Sequence, residues 1–190
     1  MDEGAKKVER LQQTLMGTTY SDLFERLVPE KQAEITNQPD SQASLRKIVQ
    51  SATAPMQARF LAAELLFGQP GFPTAEEAGA LPVIYAWAIA NQPTGNMWGL
   101  PGDDDGQAGT HVVRIGRPMI PALIPLFQDD RLLPYGGSIE ATFANLTQVR
   151  IKDVAASLVT RILKQGPFPK QADKTARDAF IKDLEASTKN

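Results

Sequence analysis

The sequence has no cysteine, a single histidine and no apolar run long enough to span a bilayer. Without cysteine, disulfides, thiolate metal ligands and cysteine nucleophiles are excluded. Any histidine-based catalysis has to run through His111. A transmembrane helix needs about 18 or more apolar residues in succession, and the polar opening MDEGAKKVERLQQ does not read as a secretory signal. The expectation is a chain with no membrane span, cytoplasmic by default and exported or lipid-anchored only if a leader has been removed. Aromatic residues are sparse at 7%, yet 42% hydrophobic residues suffice to build a core, and 190 residues suit one all-helical domain.

Positive charge is scarce where a nucleic-acid surface would need it. Residues 51–149 carry only Arg59, Arg114, Arg117 and Arg131 against nine carboxylates, a net charge of −5, while residues 150–190 carry a net +4. Duplex binding requires several Lys or Arg on one face to release counterions, so no nucleic-acid partner is expected. The basic end reads as a solvated face of the last helices.

Strand signals are lacking too, since no sustained period of two occurs. Helical periods are abundant instead. In RIKDVAASLVTRIL the apolar residues Ile151, Val154, Ala155, Leu158, Val159, Ile162 and Leu163 form an unbroken stripe. Val8, Leu11 and Leu15 mark a first helix ended near Gly17. Ser21 is placed to cap a second, and Asp40 or Ser41 a third carrying Leu45, Ile48 and Val49. PMQARFLAAELLFG is apolar almost all round, which predicts a buried central helix. Thr74 and Glu77 have capping-box spacing and open a helical region to about Asn91, with Pro82 predicting a kink or break near Gly79 to Leu81. Two long loops follow, at 91–110 and 131–149, and between them Pro118, Pro121 and Pro125 bend a helical piece. Within the second loop Ser138 is placed to cap a short helix bearing Ile139, Thr142, Phe143 and Leu146 on one side. Gly166 and Pro167 end the main stripe, and Ala172, Ala176, Phe180 and Leu184 define a last helix over 170–187.

IPALIPLFQDD followed by RIKDVAASLVTRI resembles one HEAT repeat: a proline-bent first helix, an aspartate turn at Asp129 and Asp130, and a second helix opening with a basic residue, Arg150. QARFLAAELL is similar to the second helix of an earlier repeat, with Arg59 in the corresponding place. The match covers about a third of the chain and departs from the family in the insertion between Asp130 and Arg150. The resemblance implies an all-α, HEAT-like α-solenoid of stacked antiparallel helix pairs over residues 40–165. Helices at 5–35 and a capping helix at 170–187 would flank it. It further implies a scaffold that works by contact.

Residues with chemistry are few. Ser51, Ser138 and Ser157 lack a nucleophile elbow, so His111 is expected to be structural. DDDG at Asp103–Gly106 resembles a calcium loop, but aligning its glycine with the sixth EF-hand position puts Pro101 and Val112 where carboxylates are required. No metal and no cofactor are expected. Glu64 interrupts the most apolar helix, which predicts a buried carboxylate bonded to a group from another helix, with Arg150 and Lys152 as the candidates. If the two long loops lie on one side, Trp98, Tyr135, Glu140, Asn145, Arg150 and Asp153 would line a polar groove for a protein partner. The expected function is a non-enzymatic scaffold for protein–protein interaction. The alternative is an enzyme on a HEAT-like scaffold, of the bilin-lyase kind, with a small-molecule pocket.

Overall fold

The computed structural model describes residues 3–25, 30–103, 106–137 and 139–188, and among these it is all-helical, with one isolated antiparallel bridge and no strand. Packing gathers the chain into two compact units that divide between Ile84 and Tyr85.

The first unit contains α1 (Glu3–Met16), α2 (Tyr20–Phe24), α3 (Glu30–Thr36), α4 (Ser41–Gln50), α5 (Met56–Leu66) and the opening turns of α6 (Ala75–Asn91). Helix α5 is its centre. Every residue from Ala58 to Leu66 is buried, because α4 and α1 both pack on it. Two charges lie within that run. Arg59 donates from Nε and Nη2 to the Val49 carbonyl at 3.1 and 3.0 Å, closing the last turn of α4, and burial lowers its pKa. Glu64 is 2% exposed, and Tyr20 of α2 donates to its Oε2 at 3.4 Å. The predicted burial and the bond from another helix are thus found. Arg150 and Lys152, however, are ion-paired with aspartates of their own unit.

Local rules decide most helix ends. Thr19, rather than Ser21, caps α2: its hydroxyl accepts from the Asp22 amide while the Asp22 carboxylate accepts from the Thr19 amide, a reciprocal box that Ser21 has no equivalent of. The Thr74–Glu77 box forms as its spacing predicts, and Arg46 donates from Nη1 to both oxygens of the Glu77 carboxylate at 2.7 and 2.6 Å. Helix α6 runs through Pro82 without the predicted break. A proline there removes one backbone donor, but Leu81, Ile84, Tyr85 and Ala88 are all fully buried, and this burial on both sides of Pro82 holds the helix together.

The second unit is built around α10 (Ile151–Leu163). Ten consecutive residues of it, Ile151 to Thr160, are buried. Helices α7 (Gln107–Ile115) and α11 (Lys174–Thr188) pack on it, as do short α8 (Ile120–Leu123) and the tight turn after it, Ile124–Gln128, while the turn before it, Arg117–Met119, packs on α7 and α8. Pro118, Pro121 and Pro125 break this last piece into alternating tight and regular turns, as expected of residues that each remove a donor. Helix α10 ends earlier than Gly166. Lys164 takes the left-handed conformation at φ 53°, and the Gln165 amide bonds back to the Thr160 carbonyl. Helix α11 buries Arg177, Ile181 and Leu184, a face rotated from the predicted one by an arginine that periodicity of apolar residues does not count.

Candidate functional site

The insertion at 131–149 is closed at its base by backbone bonds. Leu133 donates to Val149 at 2.9 Å and Ile151 donates to Arg131 at 3.0 Å, around the bridge between Leu132 and Arg150. The excursion that this base supports carries α9 (Ile139–Thr147), whose only buried residue among those described is Ala144. Of the stripe read from the sequence, Ile139, Thr142 and Leu146 face water, Ile139 being 78% exposed and Leu146 80%, while Phe143 is half-buried with the Lys170 ammonium 5.6 Å from its ring centroid. Leu132, at the base, is 60% exposed and shares with Ala144, Asn145 and Gln148 a hollow of about 250 Å³. Exposed apolar side chains scattered singly are ordinary, whereas two on one face of a helix that also lines a hollow have the form of a contact surface.

The other long loop is packed rather than loose, and the two loops meet. Gly95 donates to the Pro134 carbonyl at 2.7 Å. Asn96 exchanges bonds with the Gly136 backbone at 2.9 and 2.8 Å, and the Tyr135 hydroxyl donates to the Gly99 carbonyl at 2.9 Å. Trp98 lies beneath, 1% exposed and edge-on to Tyr85. Its backbone is approached so closely that a Cβ on Gly109 would lie 2.3 Å from the Trp98 oxygen, and one on Gly106 2.0 Å from the Gly99 nitrogen. The end of the loop is tied as well, since Gly102 donates to the Ser157 hydroxyl at 2.8 Å.

Beside this lies a buried ionic cluster. Arg150 donates from Nε and Nη2 to the two oxygens of Asp153 at 3.1 and 2.9 Å, and its Nη1 reaches Asp130 at 3.0 Å and Asp178 at 2.8 Å. Lys152 spans the same pair of aspartates at 2.9 and 3.0 Å. Arg177 donates to Asp153 at 2.7 Å and to the Thr147 carbonyl at 2.6 Å, which ties α11 to the end of α9. Three cations thus meet three carboxylates. The hydrogen bond and charge of Lys152 hold the Asp130 carboxyl below its ordinary range. Burial pushes Asp178 upward, but its bonds to Lys152 and Arg150 outweigh that and leave it lowered. Burial likewise lowers Lys152 and Arg150, and the carboxylates overcome it, so both are raised. The basic end of the chain is therefore not a simple solvated face. Arg150, Lys152 and Arg177 are 1%, 9% and 3% exposed because the aspartates neutralise them in place.

The residues predicted to form one groove fall into three settings. Trp98 and Tyr135 belong to the loop closure, and both are buried. Arg150 and Asp153 are bonded to each other inside the cluster. Asn145 is exposed on α9 beside the hollow, and Glu140 lies on α9 with its side chain outside the described atoms. Of the acidic loop, Asp103 is ion-paired with Lys170, while Asp104 and Asp105 lie outside the described residues, as does Ser138 of the second loop. His111 is half-buried on α7. The sequence reading missed Asp130, Lys152, Arg177 and Asp178 as one assembly. Their only sequence signal is the high density of opposite charge around two apolar stripes.

Comparisons of the chain with protein-family models, with curated proteins and with solved structures found no match.

Proposed function

We propose that the chain is a HEAT-like helical scaffold that binds a protein partner through α9 and the hollow beside it. The observation that carries this reading is the exposure of Ile139 and Leu146 on α9, the helix whose Ala144 and Asn145 line a hollow together with the exposed Leu132. Ile139 and Leu146 are seven residues apart, two helical turns, and so share a face. Hot spots form where a large apolar side chain enters a pocket ringed by polar groups, and Asn145 and Gln148 supply polar groups at this rim. The partner would present an apolar surface of its own. The HEAT-like reading draws support from the close pairing of α4 with α5, and of the proline-bent segment with α10, and from the ion pair of Asp130 with Arg150 across the turn.

The test is site-specific photocrosslinking in cells that make the protein. A photoreactive residue at Ile139 or Leu146 is expected to give one discrete adduct, lost when the other position is changed to Glu, while the same group at Lys182 gives none. Equal labelling from Lys182, or an adduct that survives the Glu substitution in a protein of unchanged melting temperature, would reject α9 as the contact surface.

A further inference from the structure

We propose that the cleft between α1 and α4 in the first unit binds a small apolar carboxylate, a ligand with one anionic head and a short hydrocarbon body. This rests on different residues from the α9 reading and stands apart from it. The cleft holds about 420 Å³, a volume within the range of small-molecule sites, and is lined by three apolar and six polar residues.

Its lining divides by chemistry. Leu11 and Ile35, 9% and 3% exposed, form an apolar floor, and Pro39 extends it. Lys7, Arg10 and Thr14 stand on one face of α1 at helical spacing and form the rim. Across from them is Ser44 of α4, 8% exposed, whose hydroxyl has no hydrogen-bond partner among the described residues. That hydroxyl is open to the cleft rather than sealed in the core, so it can bond a ligand there in place of water.

Arg10 adds the charge. Its guanidinium is exposed at the rim and makes no hydrogen bond or ion pair among the described residues. A guanidinium matches a carboxylate through two parallel N–H bonds. Lys7 already holds a carboxylate, that of Asp40 at 3.3 Å. Asp40 sits before the first turn of α4 yet gives it no side-chain bond, so the positive end of that helix is left without a carboxylate cap near Ser41. With Lys7 held by Asp40, one free guanidinium and one hydroxyl suit a single negative charge better than a dianion.

Octanoate is the probe, titrated into the full chain and followed by amide NMR shifts. Saturable shifts are expected at Leu11 and Ser44. Octan-1-ol, which lacks the charge, is expected to bind at least about tenfold more weakly, and Arg10→Gln to weaken octanoate about tenfold while leaving octan-1-ol unchanged. Ser44→Ala is expected to weaken octanoate severalfold. Arg10 is exposed, so an unchanged melting temperature certifies that its variant is folded. No saturable octanoate shift, equal affinity for the alcohol, or full affinity in folded Arg10→Gln would each overturn the proposal.

Discussion

Asp153 binds two arginines from different helices at once: Arg150, at the start of its own helix, and Arg177 of α11. The same carboxylate also accepts the Arg150 amide at 3.0 Å, so one fully buried side chain caps α10 and joins α11 to it.

Removing that carboxylate would take from the buried Arg177 the aspartate it is paired with and leave Arg150 to the partly exposed Asp130 and Asp178. Asp153→Ala is expected to cost about 3–5 kcal/mol in urea unfolding, the usual cost of breaking a buried pair. Asp129→Ala removes a partner of the largely exposed Arg131 and should cost under about 1 kcal/mol. Similar losses from the two would show that the cluster is not buried as described.

The outer carboxylates of the cluster predict the acid behaviour. Asp130 and Asp178 have folded-state values below the ordinary aspartate range. Lowered carboxylates bind fewer protons folded than unfolded, so their stabilisation is complete above the unfolded value near about 4 and is lost as pH falls through the folded values. Asp130→Asn with Asp178→Asn should therefore flatten the fall of stability below about pH 4 relative to the parent chain. An acid limb of unchanged steepness in the double variant would contradict the assigned pairing.

Two glycine substitutions should act in opposite directions. Gly106→Ala drives a methyl into the backbone at Trp98 and Gly99, and overpacking of that kind costs about 1–3 kcal/mol or more. Gly79→Ala, inside α6 with open space at its Cβ position, should raise stability by about 0.5–1 kcal/mol. Melting temperatures that shift the same way for both would refute this contrast.

Lys164 holds a left-handed position that costs a side chain about 1–2 kcal/mol. Lys164→Gly is accordingly expected to be neutral or to stabilise by up to about 1 kcal/mol, in part offset by the freedom glycine adds to the unfolded chain. A clear loss in chemical denaturation would mean that the lysine side chain contributes something the backbone geometry does not reveal.

How much of this was legible depended on whether the signal was local. The α10 stripe, the buried α5 and the Thr74–Glu77 cap were readable because each is written within a single turn or period. The ionic cluster was not, since Asp178 is brought to Arg150 by the packing of α11 against α10, and Asp130 by the packing of the proline-bent segment that precedes it. For α9 the stripe was read correctly, but a period says only that residues share a face, not what that face meets. The segments 91–110 and 131–149 read from composition only as long loops; the contacts that join their described residues come from Asn96, Tyr135 and the glycines under Trp98, acting across sequence distance.

With Ile151 to Thr160 buried on every side, α10 has no surface from which it can fray in its middle. Solvent reaches those amides only after α7, α11 and the proline-bent segment have parted from it, so deuterium should enter that stretch at the rate of the unit's global opening. Helix α9, with one buried residue among those described, should exchange long before, which would let this contact surface melt and re-form while the body beneath it stays intact.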